Sequence, residues 1–155
     1  MWCSSCFASQ SNEEIKWEDT RPFVIPLTEG RVIKVYDGDT ITVASKLPFS
    51  KSPLYRFSVR LNGIDCPEIK GKTAEEISVA KEARDAMTAL IYQKDVTLLN
   101  VSNEKYGRVL ADVYLGSLHL NQWLIDQRFA VAYDGGTKKT PESWAKYRLT
   151  GDPPL

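Results

Sequence analysis

Arg31-Val32-Ile33-Lys34-Val35-Tyr36-Asp37-Gly38-Asp39-Thr40-Ile41-Thr42-Val43-Ala44 reads as two strands with a turn between them. β-branched residues alternate through Arg31–Val35 and again through Thr40–Ala44. Such residues suit a pleated surface, and Asp-Gly suits a turn that needs positive φ. Downstream, the polar, proline-containing stretch Ser45–Leu54 reads as a loop, and Tyr55–Leu61 alternates again as a third strand. Asn62-Gly63-Ile64-Asp65-Cys66-Pro67-Glu68 is a turn region. Thr73 and Glu76 then have capping-box spacing. Ile77, Ala80, Ala83, Met87, Leu90 and Ile91 follow on one helical face. Val96–Val101 and Val109–Leu115 read as strands four and five, and Leu120, Trp123, Leu124 and Ile125 as a shorter helix. Gly135-Gly136 and Pro141 break the chain before a last turn around Trp144. This order predicts an α+β protein: a five-stranded, partly open OB-type β-barrel with two to three packed α-helices.

Upstream of the hairpin the chain is polar and unpatterned. The expected organisation is a flexible N-terminal leader over 1–25, one domain over 26–150 and a short tail over 151–155. A chain of 155 residues with a 43% hydrophobic fraction is long enough to bury a core without disulfide staples. No apolar run approaches the ~18 residues of a membrane span, and the N-terminus lacks the pattern of a secretion signal. A soluble, intracellular monomer is the expectation. The cysteines are Cys3, Cys6 and Cys66, an odd and sparse set that does not look like a disulfide framework. Cys3 and Cys6 form a C-x-x-C with no further zinc ligands at matching spacing. They read as two thiols in a tail, or as a lipidation site beside Trp2 and Phe7 that would anchor the chain to a membrane.

Charge and histidine content narrow the function. Lys plus Arg equals Asp plus Glu, 20 each, so bulk charge does not steer the chain to nucleic acid. Any such affinity must come from a local site. A plain single-strand-binding barrel would want a basic groove, which this balance disfavours. The single histidine, His119, excludes a histidine pair for ribonuclease-type catalysis and a His-rich zinc site. His119 between Leu118 and Leu120 reads as structural. Trp123 and Phe129 read as core, and Lys138 and Lys139 as a solvated surface pair.

Several fragments are individually bland. Asp37-Gly38-Asp39-Thr40 is a turn, and Asp65-Cys66-Pro67-Glu68 is a proline turn with two acids. Lys105-Tyr106-Gly107-Arg108 is a loop entering a strand, and Arg60 is a polar residue on the outer face of strand three. Taken together they are specific. Asp-Gly-Asp-Thr, then Arg-Leu-x-x-Ile-Asp-x-Pro-Glu, then a helix, then Lys-Tyr-Gly-Arg resembles the staphylococcal nuclease (thermonuclease) family from about Arg31 to about Tyr133. The main length difference is the loop Ser45–Leu54. The family commonly has threonine where this chain has Cys66, and a more lysine-rich loop after the catalytic glutamate.

The resemblance implies an OB-type barrel and a Ca²⁺-dependent nuclease acting on DNA and RNA, leaving 3′-phosphate ends. By position, Asp39 and Asp65 would bind the metal through carboxylate oxygens, and Cys66 through its backbone carbonyl. Asp37 would stand next to this ligand set. Glu68 would hold or activate the attacking water, and Arg60 and Arg108 would contact the scissile phosphate. Lys105 and Tyr106 would bind the neighbouring phosphate, and Tyr133 would contact substrate. The chemistry is coherent: hard cations prefer oxygen ligands, and planar guanidinium forks match phosphate oxygens. The competing class is a non-catalytic nucleic-acid- or protein-binding module of the same fold. The presence of all five acids and arginines, Asp39, Asp65, Glu68, Arg60 and Arg108, favours the enzyme.

Overall fold

The hairpin forms as the alternation predicts. β1 (Glu29–Asp37) and β2 (Thr40–Lys46) pair antiparallel from Arg31↔Ala44 to Asp37↔Thr40, and β3 (Leu54–Leu61) continues the meander on β2. These observations come from a computed structural model, which describes residues 13–152. The β1–β2 register shifts twice, between Val32 and Lys34 and between Val35 and Asp37. Such irregularities increase local twist, which helps a short sheet curl. Two-residue β4 (Ile64–Asp65) follows, then α1 (Ala74–Ile91). β5 (Asp95–Asn103) pairs antiparallel with β1 and with β6 (Val109–Leu115). β6 also lies parallel to β3, through Val59↔Val109, Arg60↔Leu110 and Leu61↔Ala111. That pairing closes the five long strands into a barrel, where the sequence suggested a partly open one. Closure removes the free edges that an open sheet would expose.

The remaining elements are short. β7 (Leu118–His119) pairs with β6, α2 (Leu120–Asp126) follows directly, β8 (Val131–Ala132) pairs with β4, and α3 (Trp144–Thr150) ends the domain. The barrel interior holds Val32, Ile41, Val43, Val59, Leu61 and Val113, all fully buried. α1 covers one opening with Ala83, Met87 and Ile91, which share a face at intervals of four. Leu120 and Leu124 of α2 and Phe129 join the same core, with Trp123 packed partly buried against it. His119 stacks on Tyr114 with ring centroids 4.6 Å apart, a structural role. Among the described residues, no helix is long and apolar enough to cross a membrane. Cys3 and Cys6 lie outside the described residues.

α3 is held at both ends. Ser143 caps its N-terminus, its hydroxyl accepting from Lys146 N, and Glu75 of α1 accepts from Ser143 Oγ at 2.7 Å and Ala145 N at 3.0 Å. At the other end Arg128 donates to the carbonyls of Arg148 and Leu149, groups that a helix end leaves unpaired. Pairing of β8 with β4 and this cap on α3 anchor the loop between β8 and α3 on each side.

Candidate active site

The site lies where the β1–β2 turn, the end of β3 and the turn after β4 converge. Asp39 leaves the hairpin turn with its carbonyl accepting from Leu61 N at 2.8 Å, which ties the turn to the end of β3. Its Oδ1 accepts from Thr40 Oγ1 at 2.9 Å, and its Oδ2 from Cys66 N at 3.2 Å. Arg60 sits between two carboxylates: Nη2 donates to Asp39 Oδ2 and Asp65 Oδ1, both at 3.3 Å. Its Nη1 donates to the Ile64 carbonyl at 3.2 Å. Arg60 does alternate away from the barrel interior, as the strand pattern predicts. On that outer face it is nonetheless only 7% exposed, so it is covered rather than solvated. The turn after β3 folds over it, and the Tyr133 ring lies 5.7 Å from its guanidinium carbon.

Asn121 of α2 supports this turn from beneath. Its Oδ1 accepts from Val113 N, and its Nδ2 donates to the carbonyls of Asn62 and Ala111. Glu76 supports it from the other side. Thr73 Oγ1 accepts from Glu76 N at 3.1 Å, as the capping spacing predicts. The Glu76 carboxylate, however, does not complete the reciprocal box. It accepts from Glu68 N and Lys72 N, each at 3.2 Å, and so fastens the loop that carries Glu68. A Cβ on Gly71 would come within 2.5 Å of that carboxylate, so a larger residue there would push the Glu76 side chain off the Glu68 loop.

A cavity of roughly 250 Å³ brings together Asp39, Asp65, Glu68, Arg60 and Arg108. Arg108 is oriented by Glu104, with Nε to Oε2 at 2.5 Å and Nη2 to Oε1 at 2.9 Å. A neighbouring cavity of roughly 730 Å³ is lined by Lys105, Tyr106 and Tyr133, and shares Arg60 and Arg108 with the first. Tyr133 is fixed by its amide to the Gly63 carbonyl at 2.8 Å and by its hydroxyl, which donates to Gly136 O at 3.0 Å. Every residue singled out in the sequence for phosphate or substrate contact thus faces one of two adjoining cavities.

One participant was missed. Lys138, read from sequence as a solvated lysine, reaches back from the β8–α3 loop into the acidic cluster. Its Nζ lies 2.9 Å from Asp65 Oδ1 and 3.1 Å from Glu68 Oε1. Burial works against its charge, but Asp65 and Glu68 hold its ammonium above the usual lysine value. The only sequence signal was its place in a glycine-rich loop shortly after Tyr133.

The cluster is short of positive charge. Asp37, Asp39, Asp65 and Glu68 face Arg60 and Lys138, while Arg108 is already engaged by Glu104. Burial first, then the charge of Asp39, pushes the Asp37 carboxyl up to about 7. Its buried Oδ1 has no hydrogen-bond partner. Burial also raises Asp65, against the pull of Lys138. Among the described residues no three His, Cys, Asp or Glu side chains form a metal cluster by themselves. Asp39 and Asp65 are two buried carboxylates that share Arg60 Nη2 at 3.3 Å each, and an unmatched third acid, Asp37, lies beside them. That donor set fits a hard dication that completes its shell with carbonyl or water oxygen.

The Cys66 sulfur is not part of this oxygen set. A Cβ built on Gly38 would meet Cys66 Sγ at 2.8 Å and Ala83 Cβ at 3.2 Å, so the thiol packs between the hairpin turn and α1. Burial, followed by the charges of Asp39, Asp37 and Asp65, raises its pKa well above the usual cysteine value. The side chain is a neutral core group.

Comparison with known proteins meets this geometry. The model of the family described as staphylococcal nuclease homologue matches residues 58–149. The chain belongs to that family. An uncharacterized endonuclease of Haemophilus influenzae is 34% identical over 103 residues, covering 66% of this chain and 51% of that protein. An uncharacterized endonuclease of Escherichia coli is 31% identical over 106 residues, covering 68% of the chain and 61% of that protein. The staphylococcal-like nuclease CAN1 of Arabidopsis thaliana is 30% identical over 82 residues, 51% of the chain and 24% of that protein. The chain thus spans about half to three-fifths of the two bacterial relatives. The family match begins within β3, so the β1–β2 hairpin, with Asp37 at the end of β1 and Asp39 in its turn, joins the site through the fold.

Proposed function

We propose that the chain is a calcium-dependent nuclease that hydrolyses phosphodiester bonds of DNA and RNA with little sequence preference. The observation that carries this reading is the convergence of Asp39, Asp65 and Glu68 with Arg60 and Arg108 on one small cavity. Membership of the staphylococcal nuclease homologue family, and relatives named as endonucleases, support it. Asp39, Asp65 and the backbone carbonyl of Cys66 would hold the cation. Bound calcium would supply positive charge against the non-bridging oxygens of the phosphate.

The chain's own residues do the rest. Arg60 and Arg108 bind those oxygens with fixed forks and stabilise the charge that grows on them in the transition state. Glu68, the most exposed acid of the cluster, holds the attacking water and accepts its proton. Lys105 and Tyr106 bind the adjacent phosphate, and Tyr133 orients the nucleotide over Arg60. In-line attack then breaks the bond to the 5′ oxygen and leaves a 3′-phosphate.

Digestion of plasmid DNA and of RNA with Ca²⁺, with Mg²⁺ or with chelator tests the reading. Cleavage is expected with Ca²⁺ and weaker with Mg²⁺, which demands a tighter octahedron. Arg60→Lys and Arg108→Lys should each lose most activity while remaining folded, and Glu68→Gln should slow turnover by roughly 10²–10⁴-fold. Full activity in chelator, or 5′-phosphate products, would contradict the proposal. Binding of nucleic acid without turnover would establish the non-catalytic module instead.

A further inference from the structure

Lys138 lines both cavities, the acidic one and the phosphate-facing one. Its ammonium lies against Asp65 and Glu68, on the carboxylate oxygens that the proposed metal and water would use. Two ions of like sign at one oxygen repel, so an arriving dication competes with this ion pair. The loop that carries Lys138 is anchored by the Tyr133 amide on Gly63 and by Ser143 and Ala145 on Glu75. A displaced Lys138 side chain therefore stays beside the site. Gly135, with φ +88°, and Gly136 precede it and give the tip conformational freedom.

We infer that Lys138 is a two-position residue: it neutralises Asp65 and Glu68 before the cation binds, and turns to the phosphate of the substrate once the cation displaces it. This assignment rests on the metal-dependent nuclease reading. It makes cation and nucleic acid bind with mutual assistance. The cation frees the lysine for phosphate, and phosphate draws the lysine off the carboxylates. Such coupling is reciprocal by thermodynamic necessity. It also gives the neutral chain a local positive charge only when the site is complete.

Calorimetric Ca²⁺ titration of wild type, Lys138→Ala and Lys138→Arg tests the inference, with and without a short single-stranded oligonucleotide. The oligonucleotide's 5′ bridging oxygens are replaced by methylene, so that it is not cleaved. Without oligonucleotide, Lys138→Ala should bind Ca²⁺ about fivefold more tightly than wild type, the scale of one partly exposed ion pair. With Ca²⁺ present, the same variant should bind the oligonucleotide about fivefold more weakly, and the mutual assistance should shrink. Lys138→Arg should keep the wild-type pattern. Unchanged or weaker Ca²⁺ affinity in Lys138→Ala overturns the two-position assignment and leaves the nuclease reading standing. Failure of both wild type and Lys138→Ala to bind Ca²⁺ overturns the metal-dependent reading and the assignment with it.

Discussion

At the scale of single residues, one amino acid can serve the acidic cluster with one group and the core with another. Cys66 gives its backbone amide to Asp39 and its sulfur to the contact with Gly38 and Ala83. Cys66→Ser should therefore keep its Ca²⁺ dependence while losing about 1–3 kcal/mol of stability, because a hydroxyl replaces an apolar contact. Metal-dependence curves and chemical denaturation of the variant check both halves. A change in preferred metal would place the sulfur in the cation's shell. The same scale shows how far sequence reading reaches. That Asp39, Arg60, Asp65 and Arg108 would meet at one place was legible because their residue types and order are jointly specific, and they do line one cavity. The burial of Arg60 was not, since alternation along β3 says which face a side chain leaves by and not what later folds over it. Lys138 was illegible for a related reason. It reaches Asp65 and Glu68 only because β8 and α3 fix the ends of its loop, and neither anchor leaves a mark near Lys138 in the chain.

Neighbouring glutamates at the start of α1 act as two separate fasteners between elements. Glu76 holds the Glu68 loop, and Glu75 holds the N-terminus of α3. The long elements were readable because burial imposes period two on β1, β2 and β6 and a four-residue recurrence on α1. β4, β7 and β8 were not, because a pair of residues has no period. The capping spacing of Thr73 and Glu76 was right about the helix start and wrong about the destination of the carboxylate, which tertiary contacts redirected. Glu75 offers a pH test of its fastener. The Ala145 amide and then the Ser143 hydroxyl hold its carboxyl below the usual glutamate value. A lowered folded-state pKa contributes stability above the unfolded-state value of ~4.3, which is lost as pH falls through the folded value. Glu75→Gln should melt below wild type at pH 7, and the gap should narrow as pH drops below ~4. Thermal melts across that range decide it. A gap independent of pH would mean that the carboxylate charge does not hold α3.

Across the whole molecule, the pairing of β3 with β6 has a consequence for the order of assembly. The pair Arg60↔Leu110 lies in it, and Arg108 stands just ahead of β6, so the two arginines line one cavity only once β3 and β6 have paired. The strands that meet there are separated in the chain by α1 and β5, and contacts between distant segments carry a loop-closure cost that slows their formation. α1, by contrast, is local and forms on a much shorter timescale. Catalytic competence should then be the last property to return when the unfolded chain is diluted out of urea. Helical dichroism should recover ahead of substrate cleavage, and a substitution that weakens the β3–β6 pairing, such as Val109→Ala, should lengthen the lag between them. Simultaneous recovery of both signals would mean that the barrel closes in the same step that forms the helix.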